Sequence, residues 1–188
     1  MHMKYIFESD RLGFREWTEA DKAPFGKMNA NEEVMKFFPK LMTQTESDSL
    51  VQRINQHFDN NGFGLWAVEV KETNEFIGFI GFLTISFEDF FTPGIEIGWR
   101  LDNAFWNKGY ATEGAQACLK YGFEILDLSE IYSFTALSNQ PSINVMKKIG
   151  LKKQDKTFEH PKVEVGSPLR EHVLYRMGKD EYKKELGK

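Results

Sequence analysis

Residues 12–17 are apolar and aromatic apart from Arg15 and Glu16, the composition of a strand. Thr18-Glu19-Ala20-Asp21 then offers an N-cap with acids in the first turn of a helix. After Pro39, Thr43 with Glu46 forms a capping box, and Leu50, Ile54, His57 and Phe58 recur at helical spacing until Asn60-Asn61-Gly62 stops the run. Residues 65–70 and 76–87 are rich in aromatic and β-branched side chains. The polar Lys71-Glu72-Thr73-Asn74-Glu75 between them predicts a hairpin. A loop over 89–94 with a Pro93-Gly94 bend leads into residues 95–101, which alternate as a strand and place Glu96 and Arg100 on one face. In 109–126 the residues Ala111, Ala115, Cys118, Leu119, Gly122 and Leu126 line one helical face, and 130–137 returns to strand composition. This strand–helix–strand unit predicts two parallel strands joined by a right-handed crossover. A short helix over 141–149 ends at Gly150, strand candidates follow near 152–158 and 170–177, and 179–188 reads as a solvated helical tail.

With 188 residues, 41% hydrophobic and 14% aromatic, the chain fits one domain spanning 1–188, with a core large enough to surround a ligand cleft. No repeat or linker-like stretch divides it. The net charge of -4 gives no reason to expect attraction to nucleic acid or acidic membranes. One cysteine, Cys118, excludes an internal disulfide framework, and a reducing cytoplasmic setting is the default. Lys4, Glu8, Asp10 and Arg11 interrupt any signal-peptide core, and no apolar run approaches the ~18 residues of a membrane span, so a soluble protein is expected. His2, His57, His160 and His172 do not pair with Cys or carboxylates at metal-ligand spacing, so no metal is expected.

The stretch Trp106-Asn107-Lys108-Gly109-Tyr110-Ala111-Thr112-Glu113-Gly114 places small residues between a strand and a helix N-terminus. The first turn of a helix leaves N–H donors unpaired at its positive end, and Gly109 permits close approach or positive φ, which suits a pyrophosphate. The plain alternative is that Gly109 merely turns the chain. Gly78-Phe79-Ile80-Gly81 has two of the glycines of a dinucleotide fingerprint but lies within a strand and lacks the third glycine and following helix.

Taken together, Asp10-Arg11-Leu12 leading to Arg15-Glu16-Trp17 and Asp21, Gly78 and Gly81, Ile95-Glu96-Ile97-Gly98-Trp99, the 106–113 loop, Asn139-Gln140-Pro141-Ser142, Lys148-Ile149-Gly150-Leu151 and Leu174-Tyr175 resemble the GNAT superfamily, in its RimJ/RimL-like branch of ribosomal-protein N-acetyltransferases. The resemblance covers nearly the whole chain. It implies an α/β (α+β) GNAT fold: a mostly antiparallel mixed sheet of six to seven strands with a parallel split pair, flanked by about four helices. It also implies acetyl-CoA as co-substrate, its pyrophosphate on the backbone of Trp106, Asn107, Lys108, Gly109, Tyr110, Ala111 and Thr112. Trp106 stands where the family generally has Arg or Gln. Pantetheine is expected in the gap beside Ile97, Gly98, Trp99 and Arg100, pairing like an extra strand.

For catalysis the resemblance points to Glu96 as the base for the acceptor amine, directly or through water, against a structural pairing of this carboxylate with Arg100 or a neighbour. The tyrosine acid of many relatives is replaced by Met146. Ser142 is the substitute donor to the leaving thiolate, with Asn139 holding pantetheine or the strand end and Asn144 a secondary contact; helix capping is the alternative for Ser142 and Asn139. Glu159 and His160 are alternative bases in a late loop, with a solvated loop as the plainer reading of both. Phe37, Phe38, Phe87, Phe90 and Phe91 are candidates for an acceptor-pocket lining, against ordinary core packing as the stronger reading of any single one. The expected partner is an amine acceptor, either a protein N-terminus or a small molecule, for a monomer or homodimer that acts by direct attack in a ternary complex. The competing reading is a non-catalytic acyl-CoA-binding sensor or partner-binding module, which the missing tyrosine favours.

Overall fold

A computed structural model describes residues 5–185; His2, Lys4 and the last three residues of the tail lie outside them. The turn-linked strands β1 (Phe7–Glu8) and β2 (Leu12–Arg15) lead into α1 (Glu19–Asn29), α2 (Glu32–Met35) and α3 (Gln44–Asn61). The hairpin β3 (Leu65–Val70) and β4 (Glu75–Thr84) is followed by β5 (Ile95–Leu101), α4 (Tyr110–Glu124) and β6 (Glu130–Ala136). The chain closes with α5 (Gln140–Lys148), β7 (Lys152–Lys153), β8 (Phe158–Glu159), β9 (Glu171–Gly178) and α6 (Lys179–Glu185).

The strands form one sheet in the order β1-β2-β3-β4-β5-β6-β9-β7, with β8 also on β9. Every neighbouring pair is antiparallel except β5 and β6. Six strands have four residues or more, as the pattern predicted, and β1, β7 and β8 add two residues each. The apolar run over 76–87 leaves the ladder at Thr84, because Ile85, Phe87 and Phe91 fold over the sheet into a separate aromatic cluster. The expected strand over 152–158 breaks into β7 and β8, both laid on β9. The four-residue α2 was not predicted; Asn31 caps it by accepting from the backbone N–H of Glu33 at 2.9 Å.

The two sheet faces carry different helices. On one, α4 places Ala115, Cys118, Leu119 and Phe123 against Leu12, Phe14, Ile80, Phe82, Ile97 and Ile131. On the other, Phe25 and Met28 of α1 and Val51 and Ile54 of α3 pack with Leu65, Ala67 and Phe79. Burial of these side chains, roughly 1.5–3 kcal/mol each for the larger ones, is the main term holding the layers together. Among the described residues no helix is long and apolar enough to cross a membrane.

An ionic knot joins β2, α1 and β3. Arg15 grips Asp21 bidentately, Nη1 to Oδ2 at 2.7 Å and Nη2 to Oδ1 at 2.8 Å, while its Nε donates to Glu69 Oε2 at 2.7 Å. Tyr5 Oη donates to the other Glu69 oxygen, and the Thr18 N–H donates to Asp21, completing the helix cap. Burial opposes the Asp21 carboxylate, yet the Arg15 fork and the Thr18 donors hold its pKa below the usual range. Stability from this pair is therefore present above the unfolded pKa and is lost as pH falls through the depressed one. Arg15→Met strands two buried carboxylates and should cost on the order of 3–5 kcal/mol in urea unfolding. A variant within 1 kcal/mol of the parent would show the knot to be decorative.

Candidate active site

β5 is paired along its whole length with β4, and β6 with β9, over seven positions each. Between β5 and β6, however, the ladder has one partnered position, Glu96 opposite Tyr132. The Ser133 hydroxyl adds one stitch by donating to the Ile97 carbonyl at 3.0 Å. Beyond it, residues 98–101 of β5 have no ladder partner on the β6 side. Backbone N–H and C=O groups left this way are obligatory hydrogen-bonding groups without a strand, so an extended amide-bearing chain fits there. Ile97 itself contributes a buried side chain, and its carbonyl is taken by Ser133; this serine, hidden within a strand pattern, gave no signal in the sequence.

At the end of β5 the chain makes a 3-10 turn, Asn103–Phe105, and then enters α4. The Trp106 indole N–H donates to the Leu101 carbonyl at 2.9 Å while the ring stays exposed, so the residue that replaces Arg or Gln caps the strand. Asn107 (φ 60°) and Gly109 (φ 82°) both adopt left-handed backbone, and Gly109 is the N-cap of α4. With the first-turn N–H groups of Tyr110, Ala111 and Thr112 outside the intrahelical pattern, this segment is a nest for an anion. Lys108 lies on the Phe105 ring, 5.1 Å from its centroid.

The first-turn acid Glu113 would oppose an anion, but it is neutralised. It accepts from Ser9 Oγ at 2.7 Å, from the Arg11 N–H at 2.8 Å and from Arg11 Nε at 2.6 Å. Burial resists the charge of Glu113, but these donors hold its pKa below the usual range. The Arg11 guanidinium also stacks over Tyr110, 4.5 Å from the ring centroid. Both residues were visible in the sequence, but not their pairing across the fold.

On the sheet face away from α4, Glu96, Gly98 and Arg100 follow one another along β5. Glu96 is half-buried and has no ion-pair partner among the described residues. Burial raises its pKa to about 8, opposed by the positive charge of Lys162. A Cβ added at Gly98 would meet only Glu96 Oε1, at 3.7 Å, so the floor beside this carboxyl is open. Arg100 does not pair with Glu96: its Nη1 donates to Asn29 Oδ1 at 2.7 Å, and the guanidinium stacks on Phe38 and Phe79. Of the alternative bases, Glu159 accepts from Arg170 Nε at 3.0 Å, and His160 is held neutral, its pKa lowered to about 4 by burial and by His172 and Lys162. Phe87 and Phe91 pack with Phe134 and Phe158 in one aromatic wall, Phe90 is exposed, and Phe38 covers Arg100 on the opposite side.

At the start of α5, Asn139 Oδ1 accepts from the Ser142 N–H at 3.3 Å and its Nδ2 donates to Thr135 Oγ1 at 2.8 Å, so Asn139 is the helix cap. The half-buried Ser142 hydroxyl makes no hydrogen bond to the described protein. Asn144 is exposed and accepts from Gln140 at 2.8 Å. Met146, 1% exposed, belongs to the core.

A parallel pair that parts beside a helix start with free N–H donors fits an acyl-CoA-dependent acetyltransferase. Residues 11–152 match the family model described as an acetyltransferase (GNAT) domain, and the chain belongs to that family of N-acetyltransferases. It is 32% identical to the N-acetyltransferase YnaD of Bacillus subtilis over 77% of this chain and 81% of that one. A GNAT-family acetyltransferase from Bacillus anthracis of known structure is 28% identical, with a TM-score of 0.75 over 93% of this chain and 98% of that one. The fold is shared with RimL, a ribosomal-protein alpha-N-acetyltransferase solved with coenzyme A, at 17% identity and a TM-score of 0.75 over 94% of this chain and 98% of that one.

Gly109→Ala forces a side chain into left-handed backbone, with its Cβ 3.4 Å from Arg11 Nη2. The expected cost is roughly 1–2 kcal/mol of stability, accompanied by at least tenfold weaker CoA binding in calorimetry. Unchanged CoA affinity would move the anion site elsewhere.

Proposed function

We propose that this protein transfers the acetyl group of acetyl-CoA to a primary amine by direct attack in a ternary complex. The observation that carries this reading is the Glu96 carboxyl, unpaired and raised to about 8, over the open floor of Gly98 beside the parting strands. Bound acetyl-CoA supplies the activated thioester. Its pyrophosphate fits the N–H groups of residues 107–112, and its amide-bearing arm fits the free edge of residues 98–101.

An amine arrives at neutral pH as an ammonium ion, which has no lone pair for attack. Glu96 takes that proton directly or through one water; a base with a pKa near the working pH is well matched to the task. The nitrogen then attacks the thioester carbonyl and gives up its second proton to water, the C–S bond breaks, and the thiolate takes a proton from the Ser142 hydroxyl, which is reprotonated from solvent. Ser142 is uncommitted within the protein, so it is free to do this while Asn139 holds the helix end. A non-catalytic sensor would rest on Met146, whose burial instead marks it as packing. The resemblance to the RimJ/RimL-like branch agrees with an amine acceptor. So does the shared fold of a Vibrio cholerae spermidine N-acetyltransferase solved with CoA and spermine, 19% identical with a TM-score of 0.72 over 92% of this chain and 98% of that one.

Glu96→Gln should lower kcat by on the order of 100-fold near pH 8 with CoA affinity unchanged, and recover as pH approaches the pKa of the amine itself. In the parent, activity should rise through about pH 8 as Glu96 ionises. The same raised pKa makes a stability contribution that is full below the unfolded value and is lost as pH rises through about 8. The Gln variant should therefore unfold at a higher temperature than the parent above that pH. Full activity at every pH would remove Glu96 from the chemistry.

Ser142→Ala should reduce kcat more than it changes the KM for acetyl-CoA, because proton donation to a leaving thiolate acts in the transition state. An equal kcat would leave Ser142 as part of the helix end.

A further inference from the structure

Arg100 is 8% exposed, and no carboxylate accompanies it among the described residues. Its neighbours are the Asn29 amide oxygen on Nη1, the Phe38 ring 4.0 Å from Cζ and the Phe79 ring at 5.5 Å. Asn29 is in turn held by donating to Ser47 Oγ at 2.8 Å, so the amide cannot turn away. Nε is buried and makes no hydrogen bond, and Nη2 makes none to the described protein. Burying a cation without a counter-ion is costly, and a buried donor without an acceptor calls for an explanation.

The free atoms form a pattern. With Nη1 engaged by Asn29, the two nitrogens without a partner are Nε and Nη2, which lie side by side on one edge of the guanidinium plane. That edge is the fork which takes both oxygens of a carboxylate. The rings of Phe38 and Phe79 hold the plane by cation–π contact and fix the direction of the fork. Arg100 shares its strand face with Glu96, and only Gly98, the open floor, stands between them.

We propose that Arg100 is the anion anchor of the acceptor site, and that the acceptors are amines that also carry a carboxylate. The proposal rests on the acetyl-transfer reading and deepens it. Glu96 and Arg100 are four residues apart on an extended strand, about 13 Å between Cα atoms. A substrate whose amine and carboxylate share one carbon is too short to serve both ends. The geometry selects a longer amine–carboxylate spacing, met by the side-chain amine of a free diamino acid or by a peptide N-terminus followed by an acidic side chain.

The test uses the full chain and matched acceptors: lysine against lysinamide, and the amidated peptides Ala-Glu-Ala against Ala-Gln-Ala. At least one carboxylate acceptor should exceed its neutral partner by tenfold or more in kcat/KM, and which pair does so separates a free amino acid from a peptide. In Arg100→Met that ratio should fall to about one while the chain still folds cooperatively: loss of an unpaired buried cation offsets the Asn29 oxygen left without its donor. Arg100→Lys, which keeps the charge and loses the fork, should give an intermediate ratio. A ratio near one for both pairs in the parent, or one that survives in Arg100→Met, overturns the anchor. So does a large loss of melting temperature in Arg100→Met and Arg100→Lys with the ratio intact. If no amine is acetylated at all, the acetyl-transfer reading fails first. Glutarate, a dicarboxylate without an amine, then decides: it should raise the melting temperature of the parent–CoA complex but not of Arg100→Met, and no rise in the parent overturns the anchor as well.

Discussion

A sheet normally satisfies its interior backbone groups, and between β5 and β6 this one gives up most of that satisfaction. β5 and β6 run parallel, meet at Glu96 and Tyr132, are stitched by Ser133 and then part. The proposed site is arranged around the two edges left open. The crossover that makes the pair parallel carries α4, so the start of that helix falls at the same end as the free strand edge. A ligand with an amide-bearing arm and a doubly charged phosphate end is complementary to both features at once. In the proposed reading, the hydrogen bonds the protein forgoes internally are those it offers to the co-substrate.

Electrostatic treatment differs sharply between the two kinds of buried charge. Arg15, Asp21 and Glu69 pair with one another, with Tyr5 and Thr18 adding donors, and bind three elements together. Glu96 and Arg100 lie on the same side of the same strand and remain apart, although a direct pair would have quieted both. Burial instead pushes the carboxyl up to about 8 and the guanidinium down to about 10. Groups left in that condition are stabilised by a counter-charge from outside, which is why unpaired buried charges concentrate at functional sites.

Much of the architecture was legible in the sequence because it follows from local rules. Periodicity and capping boxes located α1, α3 and α4, and alternation located β5, with Glu96 and Arg100 correctly on one face. The GNAT family was legible too, from the ordered motifs between Arg11 and Tyr175. What escaped was non-local. Nothing in the string shows that Arg11 meets Glu113, that Ser133 reaches Ile97, or that Arg100 finds an asparagine in α1 instead of Glu96. The short strands β7 and β8 escaped because they exist only by leaning on β9, and α2 because four residues carry no periodicity to read. Asn139 was readable as a cap or as a ligand contact, and only the Thr135 and Ser142 bonds show the cap.

The tie between Glu113 and the turn around Ser9 and Arg11 spans 102 residues of sequence. The contact joins two distant parts of the chain, so it exists only once both have taken their places in the fold. The anion nest therefore acquires its neutralised first turn only when the beginning and the middle of the chain have already met. A nascent or half-folded copy would present Glu113 uncompensated and repel the pyrophosphate. A co-substrate held at that turn would bind the folded chain in preference to the unfolded one and so stabilise it.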